Sequence, residues 1–371
     1  QLVFFSMETS RVVQLCIDGV PGWSRLATSQ IAIKPLTGGL TNVLFLVSAK
    51  AQCQVKQVVV RIYGVGTGDF IDSKTERYVA KELGNRGLGP KVYWEFAAGD
   101  GRIEAFVQGR VLDVAEMMHP LIAPKVAAYM AQIHETKMQE LDDQPVCFSL
   151  LDKYFAIARK VSIPSQSPDS QRKQKILSGL GFHKPAFRQE VGWLKTFLRS
   201  FKSPVLFCHN DINEGNILIK SLQGTDMTVI DYEYAGYNFR GFDVGNYFCE
   251  CYIKNNDARH PGFSISPQNF PTLAFRQAFV LQYLKSVRSQ QANQDEITFE
   301  EVTAVDDECV AFMLASHLMW SFWGVIQVSR STIEWGFVEY AEARFAEYNR
   351  LKSLLLNPSR SREYMLTVSN L

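Results

Sequence analysis

Residues 205–246 limit what this chain can become more than any other stretch. They read Val-Leu-Phe-Cys-His209-Asn210-Asp211-Ile-Asn213-Glu-Gly-Asn216-Ile-Leu-Ile, pass a short polar turn, continue as Met-Thr-Val-Ile-Asp231-Tyr-Glu-Tyr, and end as Phe-Arg-Gly-Phe-Asp243-Val-Gly-Asn. Two apolar, β-branched runs, Asn216 to Ile219 and Met227 to Ile230, flank a polar segment from Ser221 to Asp226, the pattern of a small hairpin. Asp211 opens one side of it and Asp231 closes the other. Taken singly, either acid has a bland reading, a turn residue or a strand-end cap, which are common duties for Asp.

Together their order and spacing match one kind of chemistry. Moving the γ-phosphoryl group of ATP needs little covalent help, so a protein supplies position and charge neutralisation: hard oxygen ligands for Mg²⁺ and a carboxylate near the acceptor hydroxyl. Protein kinases place these on a His-x-Asp loop with Asn five residues after the Asp, and on a second Asp after the next strand. Asp211, Asn216 and Asp231 have that spacing. The expected roles are Asp211 as base and Asp231 with Asn216 at the metal, with Asn213 near enough on the loop to assist. A pseudokinase acting only as a binding scaffold predicts loss of at least one of Asp211, Asn216 and Asp231, and all three are present.

Three words carry a family resemblance: Cys208-His-Asn-Asp-Ile-Asn-Glu-Gly-Asn-Ile-Leu218, Ile230-Asp-Tyr-Glu-Tyr-Ala-Gly-Tyr-Asn-Phe-Arg-Gly-Phe-Asp-Val-Gly-Asn246, and Ala315-Ser-His-Leu-Met-Trp-Ser-Phe-Trp323. Through them, and over roughly Leu36 to Tyr348, the chain resembles the choline/ethanolamine kinases, which share the protein kinase-like fold with aminoglycoside phosphotransferases. The resemblance implies an α+β, bilobal protein kinase-like fold. A small N-terminal antiparallel β-sheet lobe, residues 1–108, would bind nucleotide, and a larger, mainly helical C-terminal lobe, residues 109–371, would hold the catalytic and acceptor groups. It also implies ATP and Mg²⁺ as cofactors and Asp243 as a buried organiser of the catalytic loop. The chain departs from the family at Asn213, where Gln is usual.

Upstream, Ile33-Lys-Pro-Leu-Thr-Gly38-Gly39-Leu-Thr41-Asn42-Val-Leu-Phe-Leu-Val reads as strand, glycine turn, strand. Paired glycines let backbone N–H groups approach phosphate oxygens, although a plain hairpin turn has the same spelling. The next strand, Gln57-Val-Val-Val-Arg61-Ile-Tyr, sets a cation in an apolar run, which is costly unless the charge meets a partner. Arg61 fits the position where the family carries Arg, and its expected partner is Glu76. Ser73-x-x-Glu76 is equally a capping box, in which Glu76 only satisfies the first helical turn. Further on, the resemblance makes Arg102-Ile-Glu104-Ala-Phe106-Val the hinge, with adenine beside Glu104 and Phe106. From the residues alone this segment is equally an edge strand with no ligand.

The C-terminal third holds an uncharged run, Cys309 to Ser329, about as long as a membrane span. Ser316, His317, Ser321 and Gln327 interrupt it and Glu308 and Arg330 bound it, so a buried central helix is the expected reading. Trp320 and Trp323 lie three apart, hence on one face, with Gly324 leaving room for a neighbour. Aromatics at helical spacing are ordinarily core, but clustered ring faces also attract a quaternary ammonium. In the family, residues matching Trp320, Trp323, Trp335 and Tyr340 line the choline site and the acid matching Glu250 opposes the cation. A second departure is Asn255, where choline kinases commonly carry Tyr. Choline is expected first, on the four aromatics, the Ser-Thr-Ile-Glu-Trp-Gly-Phe-Val-Glu-Tyr-Ala-Glu-Ala-Arg-Phe word ending at Phe345 and His134-Glu-Thr-Lys-Met138. The Phe106-Val-Gln-Gly109 word and Asn255 favour ethanolamine. Clustered tryptophans count against an aminoglycoside acceptor.

Lys plus Arg of 39 against Asp plus Glu of 38 gives no basic field of the kind nucleic-acid binders use. Seven scattered cysteines form no disulfide framework, and Cys249-x-Cys251 lacks the second pair of a structural zinc site, so a reducing cytosol is expected. The N-terminus, Gln1-Leu-Val-Phe-Phe-Ser-Met-Glu, lacks the basic region of a signal peptide. The expected partner is a small-molecule acceptor, choline or ethanolamine, with no nucleic acid and no membrane span, in a chain compatible with a homodimer. Amphipathic helices are expected at Pro124 to Met138, Arg188 to Phe201, Thr272 to Ser289 and Glu334 to Leu351, a mobile polar excursion at Ser162 to Lys175, and a flexible loop at Gly64 to Asp69.

Overall fold

A run such as Asn42-Val-Leu-Phe-Leu-Val-Ser-Ala, with β-branched and aromatic side chains at alternate positions, suits a pleated, half-buried surface. In the computed structural model it is the second strand of a five-stranded antiparallel sheet. The structure describes residues 2–36, 42–63, 73–164, 167–222, 226–292, 295–331 and 333–357, with the side chains of residues 2–8 left aside. Helix α1 (Leu2–Gly19) precedes β1 (Ile31–Leu36), β2 (Asn42–Ala49) and β3 (Gln57–Tyr63); α2 (Ser73–Asn85), β4 (Val92–Glu95) and β5 (Gly101–Ala105) follow. The strand order is β1-β2-β3-β5-β4, with Ile31 opposite Ala49, Asn42 opposite Tyr63, and Arg61 opposite Arg102. The core of the sheet is Phe45, Val47, Val58, Val60 and Ile103, closed by Val12 and Cys16 of α1 and by Trp23. Gly38, Gly39, Thr41 and the 64–69 loop lie outside the described residues.

The chain divides into two compact units, one of residues 1–110 with 218–221 and 226–234, the other of residues 111–217, 222–225 and 235–371. After β6 (Arg110–Val111) come α3 (Val114–Met117), α4 (Ala123–His134), α5 (Val146–Ala158), α6 (Pro168–Leu180), α7 (Phe187–Arg199) and β7 (Val205–Cys208). Next are β8 (Ile217–Ile219), β9 (Met227–Val229), β10 (Gly236–Phe239), α8 (Arg240–Glu250), β11 (Ile253–Lys254) and β12 (Ser264–Ile265). Helices α9 (Leu273–Gln290), α10 (Phe299–Gln327) and α11 (Phe337–Leu356) complete it. Strands β8 and β9 are hydrogen-bonded neighbours, as the spelling around the polar turn implies.

Helix α10 is the axis of the second unit. It is apolar nearly all round and long enough to cross a membrane, yet 94% of its apolar window is buried within the protein. Helices α5, α8, α9 and α11 surround it. Close approach requires glycine on both sides: a Cβ on Gly245 of α8 would lie 2.5 Å from the carbonyl oxygen of Cys309, and one on Gly324 would lie 2.9 Å from that of Phe337. Each large apolar side chain buried here stabilises the fold by roughly 1.5–3 kcal/mol relative to exposure.

The expected excursion at 162–175 is instead largely helical. Ser167 caps α6 by accepting from the Ser170 amide, Pro168 stands in its first turn, and Gly181 ends it in the left-handed region at φ 72°. Local capping outweighs the polar composition.

Candidate active site

The catalytic-loop word hangs from the end of β7, which pairs antiparallel with β10 (Cys208 opposite Gly236). At that point the backbone turns sharply, with Asn210 in the left-handed region at φ 68°. Asp243, wholly buried on α8, holds the turn: its carboxylate accepts from the amides of His209 at 3.1 Å and Asn210 at 2.7 Å. Behind it His134 Nε2 lies 3.0 Å from the same carboxylate, and His134 Nδ1 lies 2.8 Å from the Tyr283 hydroxyl. Burial pushes the Asp243 carboxyl up, but the His134 bond and charge outweigh it and hold the group below the ordinary carboxylate range. His134, Cys208 and Asp243 cluster closely enough to suggest a metal site, but all three are buried and two are spent on this network.

Asp211 leaves the turn half-buried with both oxygens engaged. Asn213 Nδ2 donates to Oδ1 at 3.2 Å and Asn216 Nδ2 to Oδ2 at 3.1 Å. Asn213, expected to assist at a metal, also has a duty in the loop: its Oδ1 accepts from the Gly215 amide at 2.9 Å, capping the short 3₁₀ turn Glu214–Asn216. The shorter amide serves the loop, and with it the orientation of Asp211. Asn216 spends only its NH₂ on Asp211.

In the first unit the charges fall into one buried cluster. Arg61 Nη1 lies 3.1 Å from Asp231 Oδ1, 3.9 Å from Glu76 Oε1, and its Nε 4.0 Å from Glu104. The expected Arg61–Glu76 pair is therefore a distant one. Arg102, which sequence reasoning passed over, takes both glutamates at 2.8 Å and donates to the Tyr63 hydroxyl at 2.6 Å. Glu104, expected beside adenine, turns its carboxylate into this cluster; burial pushes its carboxyl up, but Arg102 and Arg61 together hold it below the ordinary range. Phe106, just past β5, is half-buried, and Asn42 opens β2. Asp231 sits in the left-handed region at φ 68°, and its side chain is 30% exposed.

Among the residues expected around an acceptor, Tyr340 is the hub. Its ring lies 6.1 Å from Trp323, 5.1 Å from Trp335 and 5.2 Å from Phe263, and Trp320 stands edge-on to Trp323 at 5.6 Å. Burial raises the Tyr340 hydroxyl well above its usual range, against the Arg344 charge and with those of Glu250, Asp211 and Glu214. The four expected aromatics thus cluster in the second unit, near enough to Asp211 for its charge to act on the Tyr340 hydroxyl. Trp320 also has a structural duty, its indole N–H donating to Asn246 Oδ1 at 2.9 Å.

Glu250 is not a lone negative charge. Buried Arg344, a residue with no role assigned from sequence, pairs with it at 2.7 Å. Asn255 Nδ2 donates to Glu250 at 2.7 Å and to Glu214 Oε2 at 3.1 Å, while its backbone amide donates to Glu214 Oε1 at 2.6 Å. Burial, then the nearby Glu250 charge, raises the Glu214 carboxyl to about 7 despite these bonds. Asn255 replaces a ring with an amide that ties two carboxylates together, a consequence only the spatial partner reveals.

The fold and this set of acids and amides define a phosphotransferase of the protein kinase-like class. The choline/ethanolamine kinase family model matches residues 33–349. The rat choline/ethanolamine kinase is 31% identical over 353 residues, 93% of this chain and 86% of the relative, and a probable ethanolamine kinase of Arabidopsis thaliana is 30% identical over 345 residues, 93% and 86%. Among solved structures, a choline kinase from Cryptosporidium parvum superposes with a TM-score of 0.77 at 26% identity, covering 94% of this chain and 96% of its own. The chain belongs to the choline/ethanolamine kinase family, kinases with an alcohol acceptor.

Proposed function

We propose that the chain transfers the γ-phosphoryl group of ATP to the hydroxyl of choline, giving phosphocholine and ADP, the first step of phospholipid head-group synthesis. The observation that carries this is the meeting of Trp320, Trp323, Trp335 and Tyr340 with Glu250, Glu214 and Asp211 in one neighbourhood. Ring faces attract a methylated ammonium, and the acids set the sign of the charge.

Asp211 orients the acceptor hydroxyl and takes its proton; the two amides on its oxygens fix the carboxylate in place. Arg61 is the cation assigned to the nucleotide. Hard oxygen donors fit a divalent cation: Asp231 has one oxygen on Arg61 and a partly exposed carboxylate, and Asn216, with its NH₂ engaged, keeps its carbonyl oxygen. Asp231 and Asn216 are the residues that would hold magnesium, which would supply charge neutralisation for the phosphates. Asp243 and His134 act through the backbone, holding the turn that aims Asp211.

Ethanolamine as the acceptor is a second reading, supported by Asn255. A primary ammonium donates three hydrogen bonds and is suited to carboxylates, and Asn255 presents Glu214 and Glu250 together. Coupled ADP release with choline, ethanolamine and an aminoglycoside in parallel tests both. Turnover with choline or ethanolamine that is abolished by EDTA is expected, and the larger kcat/KM decides between them. No turnover with any acceptor would sink the kinase reading and leave a binding scaffold.

A further inference from the structure

We infer that Arg102 is a positioning residue of the nucleotide side, saturating Glu76 and Glu104 so that Arg61 is left to Asp231. The inference rests on the roles proposed above for Arg61 and Asp231. Strands β3 and β5 place Arg61 directly opposite Arg102, so two guanidiniums meet in a buried site where like charges repel. Three carboxylates answer them: Glu76 from α2, Glu104 two residues beyond Arg102, and Asp231.

The division of these partners is uneven. Arg102 holds Glu76 Oε1 and Glu104 Oε2 at 2.8 Å each, and its third bond goes to the Tyr63 hydroxyl. Arg61 reaches the same glutamates only at 3.9 and 4.0 Å and closes on Asp231 at 3.1 Å. Two buried atoms of this cluster have no hydrogen-bond partner among the described residues, Arg61 Nε and Glu76 Oε2. A spare donor therefore sits on Arg61 and a spare acceptor on the carboxylate that would claim it. What keeps them apart is Arg102, whose charge and two bonds satisfy Glu76 and Glu104 first. Without it, two buried carboxylates face one arginine, and Arg61 is drawn toward them and away from Asp231.

Arg102→Met tests this, because it keeps side-chain length and removes the charge. The full chain is titrated with Mg·ADP by calorimetry, and KM is measured for ATP and for choline or ethanolamine, whichever turns over. The expected result is a roughly tenfold loss of Mg·ADP affinity with a matching rise in KM for ATP, while the acceptor KM moves by less than about twofold. A second variant, Arg102→Met with Glu76→Gln, removes the stranded charge and is expected to regain most of the lost affinity. A purely structural role would lower thermal stability and shift both KM values together, with no rescue. Arg102→Met that binds Mg·ADP as the unmodified chain does, or a double variant no better than the single one, overturns the inference. If Arg102→Met does not fold, Arg102→Lys takes its place, since it keeps the charge but loses the forked geometry. An affinity loss of about threefold is then expected, and parity with the unmodified chain overturns the proposal. An unmodified chain that binds no Mg·ADP would instead bring down the kinase reading itself, and this inference with it.

Discussion

The two units bury charge by different means. In the first, two arginines share three carboxylates, and Glu76 and Glu104 each stand within reach of both cations. In the second, Glu250 has one cation, Arg344, and Arg344 has one carboxylate among the described residues; the Tyr340 ring and the Ser316 hydroxyl also meet Arg344, and the Asn255 amide meets Glu250. A shared network can redistribute after a loss, whereas a single pair cannot. The lesson is that equally buried charges need not be equally sensitive.

Asp211 gives the largest expected effect; it belongs to neither arrangement, and the side-chain amides of Asn213 and Asn216 engage its two oxygens. Asp211→Asn removes the proposed base but leaves the groups assigned to nucleotide in place. Turnover should fall by about a thousandfold with nucleotide affinity nearly unchanged, measured by steady-state kinetics beside a Mg·ADP titration. Near-normal turnover would show that Asp211 is not the base.

Next comes the contrast between single and shared pairing. Arg344→Met strands Glu250 in the interior and should cost about 3–5 kcal/mol of stability. Glu104→Gln leaves Arg61 with Asp231 and Arg102 with Glu76, so about 1 kcal/mol is expected, of the order of one net hydrogen bond. Chemical denaturation of both variants measures the difference. Equal costs would break the comparison.

His317 separates the units by pH. It is fully buried on α10, and burial, then the Arg344 and Arg350 charges, push its imidazole well below the ordinary range. Its Nε2 meets the Tyr252 hydroxyl at 2.8 Å, that hydroxyl donates to Glu347 at 3.0 Å, and Nδ1 has no partner among the described residues, the pattern of a neutral ring protonated on Nε2. The folded value is depressed, so the unfolded chain binds the extra proton. Stability is full above the unfolded value of about 6.5 and lost as pH falls below it, by about 2 kcal/mol between pH 7 and pH 5. His317→Gln should flatten that slope. An unchanged slope would place its origin elsewhere.

How much of this was legible in the sequence follows the range of the interactions. Strand alternation and the β8–β9 spelling are local, and both strands formed where expected. The run at Cys309 to Ser329 was legible as a buried helix because Ser316, His317 and Ser321 betray internal partners. Helix α6 was missed because its polar composition masked the Ser167 cap, the Pro168 start and the Gly181 stop. The charge partners were least legible. Arg102 reads as an ordinary edge residue until register sets it opposite Arg61, and Arg344 acquires meaning only when α11 packs on α10. Asn255 was visible as a departure, but its bridge between Glu214 and Glu250 depends on residues five and forty-one positions away.

The smallest expected effect bears on the acceptor itself. Trp323→Ala removes a ring face beside Tyr340 and should raise the KM for choline by about tenfold, because cation–π attraction to a desolvated methylated ammonium reaches about 2 kcal/mol. For ethanolamine, whose ammonium is satisfied by hydrogen bonds, the rise should be about twofold. Asn255→Ala should do the reverse, since it releases Glu214 and Glu250 from one another without touching the rings. Opposite shifts would mean that the two halves of the acceptor neighbourhood read different features of the same cation, its methyl groups and its N–H donors. Parallel shifts would mean that Trp323 only packs the core and that Asn255 only braces Glu250. The choice between choline and ethanolamine would then have to come from residues outside the Tyr340 cluster.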